Sequence, residues 1–275
     1  MRWLLLLALL PACTASADDD TGDDDCATPV LLADSDCEAA RTFIDVSQSC
    51  GPGGDYPDPT LSVTCDGGVM QVVSNTIPSF TFDQVTPNAL EEHHHTWAIP
   101  LAPVESAAPA DVPLAGAAAV AVNGLPIYGP TEAPQMGYRD PVLDQLLDYC
   151  GGHTAPGGMY HFHARPDCLF ADAAGNTYLV LGWAFDGYPI LAPYACSDDA
   201  CTEVVELQSS WRQVEEVYGT TIENAWDAHE YVDGLGDLDR CNGRALPGGG
   251  YAYFATDSFP YFLGCYHGEV TGGEL

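Results

Sequence analysis

The segment Cys150-Gly-Gly-His-Thr-Ala-Pro-Gly-Gly-Met-Tyr-His-Phe-His163 is matched, position for position, by Cys241-Asn-Gly-Arg-Ala-Leu-Pro-Gly-Gly-Gly-Tyr-Ala-Tyr-Phe254. Each copy reads as a cysteine, a Pro-Gly-Gly turn and an aromatic strand, and such a turn allows a hairpin-like return. The match extends upstream: Asn123-Gly-Leu-Pro-Ile-Tyr-Gly-Pro130 opens one unit and Asp186-Gly-Tyr-Pro-Ile-Leu-Ala-Pro193 the other, each followed by Leu-Asp-x-Cys-x-Gly. The expectation is two divergent repeat units, about 123–168 and 186–265, sharing one core. Unit two carries an insertion, since Asn123 and Cys150 are 27 positions apart while Asp186 and Cys241 are 55 apart.

The copies keep their scaffold residues and differ in their imidazoles. His153, His161 and His163 of the first become Arg244, Ala252 and Phe254 of the second. The scaffold therefore does not require histidine, and its presence in one copy asks for a chemical reason. On a strand, residues two apart share a face, so His161 and His163 project together, their Cα atoms about 7 Å apart, while Tyr160 and Phe162 face the other way. His153 returns beside them if the Pro156-Gly157-Gly158 turn folds back. Three neutral imidazoles suit zinc or copper. His93 and His95, which share a face if Glu91-Glu-His-His-His-Thr-Trp97 is extended, are further candidate ligands. His229 and His267 are isolated in sequence and read as surface or locally hydrogen-bonded residues.

The 28 glycines and 21 prolines break the chain into short pieces, so an all-β or β-rich α+β fold is expected, in one domain over 26–275. Strands are expected at 61–64, 69–73, 117–122, 177–181 and in the two aromatic segments. Two helices are expected: Asp140–Tyr149, with an Asp cap, Pro141 in the first turn and leucines at helical spacing, and Glu203–Val217.

Apart from Cys13, ten cysteines remain, which in an exported chain reads as up to five disulfides. The repeat suggests Cys150–Cys168 and Cys241–Cys265, and proximity suggests Cys196–Cys201. Cys26, Cys37, Cys50 and Cys65 are expected to staple the N-terminal part. No C-x-x-C pair supports a thiolate metal site. Asp233-Gly-Leu-Gly-Asp-Leu-Asp239 offers oxygen ligands for a structural calcium ion, although it lacks the length and terminal Glu of an EF-hand loop.

Seven basic residues against forty acidic ones give a net charge of −33, which argues against nucleic acid or an anionic membrane surface as partner, since both need cationic patches. Residues 1–12 carry Arg2, an apolar run and Ala12 before Cys13, which resembles a bacterial lipoprotein signal with Cys13 as the lipidated residue. The run is too short to span a bilayer. Residues 13–25 then form an acidic tether. The expectation is an exported, lipid-anchored cell-envelope protein that touches a membrane only through its lipid, on the outer membrane or cell surface if the host has an outer membrane.

The order Asn-Gly-x-Pro-Ile-Tyr, Leu-Asp-x-Cys-x-Gly-His, Gly-x-Tyr-His-Phe-His, Gly-Trp-Ala-Phe-Asp-Gly-Tyr-Pro-Ile, Leu-Asp-x-Cys-Asn-Gly-Arg and Tyr-Phe-Leu-Gly-Cys resembles the YHYH-domain family of exported proteins, over roughly Trp97 to Gly268. Phe162 departs from the second tyrosine of the signature, and Tyr251-Ala-Tyr-Phe254 lacks the histidines often present in relatives. Three functions follow from these residues. The first is binding or sequestration of copper or zinc through His161, His163 and His153, with His93 or His95. The second is an enzyme using the same metal, with Asp186 or Tyr160 as acid or base. The third is a partner- or glycan-binding module built on the aromatic surface. No Gly-x-Ser-x-Gly or phosphate-binding glycine loop supports other chemistries.

Overall fold

The computed structural model describes residues 30–32, 37–170, 173–198, 200–214 and 224–275. The lipoprotein-type signal with Cys13, the acidic tether, Cys26 and the end of the second expected helix lie outside them. The strands are β1 (Leu61–Asp66), β2 (Val69–Ser74), β3 (His95–Pro100), β4 (Glu105–Ala110), β5 (Ala117–Ala121), β6 (Pro126–Tyr128), β7 (Gly152–Thr154), β8 (Tyr160–Phe162) and β9 (Val180–Ala184). They continue with β10 (Pro189–Leu191), β11 (Tyr194–Cys196), β12 (Val204–Glu206), β13 (Trp211–Gln213), β14 (His229–Tyr231), β15 (Gly243–Ala245), β16 (Tyr251–Phe254), β17 (Tyr266–Gly268) and β18 (Gly273–Glu274). The helical pieces among the described residues are short 3-10 turns. The protein is β-rich.

An eight-stranded sheet in the order β15-β16-β10-β9-β5-β6-β8-β7 organises the molecule. From the centre outward its two halves use the same pairing senses. The antiparallel pair β5–β9 lies in the middle, flanked by antiparallel β5–β6 and β9–β10, then parallel β6–β8 and β10–β16, then the edge hairpins β7–β8 and β15–β16. The central strands are small and apolar: Ala118, Ala119, Val120, Ala121, Leu181 and Ala184 are buried. Gly182 marks a close approach, because a Cβ there would sit 2.8 Å from the Val120 carbonyl and from an Ile127 methyl. A second sheet, β1-β2-β3-β18, contributes Met70, Val72, Trp97 and Ile99 to the same core.

Disulfides join Cys150–Cys168, Cys241–Cys265, Cys196–Cys201 and Cys37–Cys65, and Cys50 is also disulfide-bonded. Neither expected helix forms over its described residues. At 140–149 the start is as expected, with the Asp140 carboxylate accepting from Val142 N at 2.9 Å and Leu143 N at 3.1 Å. Gln145 then adopts φ +56°, which ends the turn before a helix can propagate. The described part of Glu203–Val217 is strand, β12 and β13, whose backbone groups pair with β11 and β14.

Candidate metal centre

The first edge hairpin builds the site. Its register sets His153 opposite His161 and Thr154 opposite Tyr160, so the Pro156-Gly157-Gly158 turn does bring His153 back beside the aromatic strand. The Asp148 carboxylate fixes the hairpin from below by accepting from Cys150 N (2.9 Å), Gly152 N (3.2 Å) and the Tyr160 hydroxyl (2.9 Å). At the other edge of the sheet Asp239 does the same with Cys241 N, Gly243 N and the Tyr251 hydroxyl. Alternation along β8 then separates two environments. Tyr160 and Phe162 enter an aromatic cluster with Phe80, while His161 and His163 face the opposite side.

His153, His161 and His163 are almost fully buried, and one ring nitrogen from each lies within 4.8 Å of the others. The Nε2 atoms of His161 and His163 are 2.9 Å apart. Their Nδ1 atoms face backbone carbonyls: His163 meets Gly129 O at 2.7 Å and His161 meets Met159 O at 3.3 Å, while His153 Nδ1 meets Leu146 O at 2.9 Å. A carbonyl oxygen only accepts, so all three rings carry a hydrogen on Nδ1, and the neutral rings of His161 and His163 turn an Nε2 lone pair inward. This is the tautomer that a metal-ligating histidine adopts.

Electrostatics point the same way. Burial, followed by the charge of His163 and then His153, holds His161 well below the ordinary imidazole value; burial, followed by His153, holds His163 down at about 3. Protonation at neutral pH therefore does not relieve the opposed lone pairs, whereas a cation does.

The histidines line a cavity of about 340 Å³ with mostly apolar walls that include Val85, Pro87, Met136 and Leu146. The Tyr128 ring lies 4.1 Å from that of His161, and burial, with a smaller contribution from Glu274, raises its phenol to about 12. Glu132, also in the cavity, escapes sequence reasoning. Its Oε1 stands 3.2 Å from His153 Nε2, without the alignment of a hydrogen bond, and is otherwise buried without a partner. No spacing rule links it to histidines 21 and more positions away; the only signal is an acid within the apolar, proline-rich stretch 125–134.

His93 and His95 are placed elsewhere. His93 Nε2 meets Gly157 O at 2.8 Å, and His95 stacks on Trp97 with its Nδ1 2.6 Å from Glu274 Oε1. Among the described residues the converging group is the trio alone. The two residues considered as acid or base also lie outside the cavity. Tyr160 is on the aromatic face of its strand, and Asp186 is buried beneath Tyr253, accepting from its hydroxyl and from Gly268 N. His229 is buried against Phe259 with its ring stacked at 3.8 Å, and His267 stacks on Tyr251 at 3.7 Å. The aspartates expected to hold calcium serve separate partners: Asp233 accepts from Tyr231, Asp237 from Gln208 N, and Asp239 holds its hairpin.

With the histidine-bearing strand and its partner hairpin placed, the comparison with known families is specific. The family model described as YHYH protein matches residues 96–268. This chain belongs to the YHYH family. The matched range contains the whole eight-stranded sheet and the histidine trio. The family's second tyrosine is Phe162 here, and its ring packs against Phe80 and Tyr160, where no hydroxyl partner is called for. No curated protein and no solved structure matches the chain.

Proposed function

We propose that this YHYH protein is an exported, lipid-anchored protein that binds copper or zinc through His153, His161 and His163. One observation carries the reading: three buried imidazoles, each with Nδ1 against a backbone carbonyl, bring one ring nitrogen apiece within 4.8 Å of one another. Without a cation the 2.9 Å approach of His161 and His163 is repulsive. Neutral nitrogen donors suit both metals, and the acidic surface raises the local cation concentration without choosing between them.

The cavity favours a second reading, that the bound metal meets a substrate. A closed storage site has no need of about 340 Å³ of apolar space beside its ligands. A metal held there would supply Lewis acidity or redox chemistry. The chain's own contribution is to exclude water with apolar walls, to hold the three imidazoles in one tautomer, and to keep the Glu132 carboxylate beside them as a proton acceptor or further donor.

Elemental analysis of the exported protein, produced without a histidine tag, tests the metal assignment on which both readings rest. The parent is expected to carry one copper or zinc per chain. The His161→Ala/His163→Ala variant should lose it while remaining folded, and Glu132→Gln should retain it more weakly, by about 10–100-fold as for other groups that orient metal ligands. A parent that takes up neither metal when both are supplied sinks the assignment.

A further inference from the structure

A second cavity, of about 540 Å³, is walled by residues between Trp211 and Arg240, with Asp111, Val112, Leu114 and Gly264 closing its other side. Trp211 on β13 and Tyr231 on β14 stand directly opposite each other in the hairpin register, with ring centroids 6.0 Å apart. Trp226, on the short turn Ala225–Ala228, completes the wall 5.4 Å from Trp211. Phe259 supports both indoles from behind, at 5.6 Å from Trp211 and 4.9 Å from Trp226. Each of the three lining aromatics remains partly exposed. Charged groups edge the same cavity: Asp111, Glu230 and Arg240 are all exposed. Arg240 places its guanidinium 5.9 Å over the Trp211 ring and accepts the indole N–H on its carbonyl, fixing both. Both hydrogen bonds from Arg212 to Glu230 go to a single oxygen, Oε1.

We propose that this cavity is a binding site for a neutral oligosaccharide. A cationic ligand would compete with the guanidinium that already occupies the cation position over Trp211, and an anionic one would meet Asp111 and Glu230. A neutral sugar uses the aromatic and the charged groups together. Its C–H faces lie on aromatic rings, its hydroxyls donate to the two carboxylates, and they accept from the guanidinium. The cavity volume falls in the range of small-molecule sites. The site shares no residue with the histidine cavity, so it stands or falls independently of the metal assignment.

The test is a titration of the full exported chain with cellotetraose, mannotetraose, galactotetraose and chitotetraose, followed by tryptophan emission and calorimetry. Saturable binding of at least one is expected, weakened about tenfold or more in Trp226→Ala and in Glu230→Gln, as for residues central to an interface. Both variants should keep the parent's circular dichroism and metal content. If Trp226→Ala does not fold, the exposed Glu230→Gln carries the same comparison. Absence of heat and of any emission change with all four sugars at about 10 mM overturns the proposal. So does saturable binding of tetramethylammonium or sulfate in their place.

Discussion

Burial holds His161 and His163 neutral, and that has a measurable consequence in the metal-free protein. His163 is held at about 3 against an ordinary 6.5. Between these values the unfolded chain takes up a proton that the folded chain does not, so the stability present above about pH 6.5 is progressively lost as pH falls toward 3. Asp140 runs the opposite way. Burial lifts its carboxyl from 3.8 to about 6, so its contribution is lost as pH rises through that window. The two effects overlap in any melting curve of the parent alone. His163→Phe, the residue at the matching position of the second copy, removes one of them. The melting temperature of the metal-free parent is expected to fall more steeply from pH 6.5 to about 4 than that of His163→Phe, and equal slopes would mean that His163 is not held neutral by the fold. At this scale the sequence showed the trio through its absence from the second copy, and alternation along Tyr160-His-Phe-His163 correctly put the imidazoles together. It did not show Glu132, because a carboxylate brought in from another strand connection leaves no periodic trace. Nor did it show that His95 is occupied by Trp97 and Glu274.

The edge hairpins are built alike down to individual atoms. Gly152 and Gly243 each leave room for the tyrosine whose hydroxyl reaches the hairpin's aspartate. A Cβ on Gly152 would lie 2.5 Å from the Tyr160 hydroxyl and from the His161 carbonyl, and one on Gly243 would overlap the Tyr251 hydroxyl. Gly152→Ala and Gly243→Ala are each expected to destabilise the fold by about 1–3 kcal/mol, measured by denaturant unfolding. Gly152→Ala alone should also weaken metal binding in a titration of the folded protein, since it displaces the strand that carries His161. Comparable weakening by Gly243→Ala would show that the histidine geometry depends on the far edge of the sheet. Strands were legible where alternation was clear, as at Leu61–Asp66 and Val69–Ser74. The expected helix at 140–149 shows why caps and leucine spacing are insufficient. The Asp140 carboxylate also accepts the Tyr261 hydroxyl at 2.8 Å, so a tertiary contact and the left-handed Gln145 hold a single turn in place of a helix.

At the scale of the whole molecule, the proposed lipid anchor at Cys13 is open to a direct test. If the N-terminal segment acts as a lipoprotein signal, the parent expressed in a bacterial host should sediment with membranes, and Cys13→Ala should move to the soluble exported fraction. Fractionation of both proteins, followed by immunoblotting, decides this; parent and variant found together in the soluble fraction would remove the anchor. The sequence by itself determined the β-rich class, the cysteine pairs around each aromatic strand and the histidine trio, because turns, alternation and local spacing are written in neighbouring residues. The tertiary structure alone decided the rest. The parallel steps β6–β8 and β10–β16 set the hairpins at opposite edges of one sheet, Glu132 met His153, and the inserted strands gathered three aromatics around a second cavity. Those contacts join residues far apart in the chain. They arise from how the sheet closes over its core, a property that no local pattern encodes.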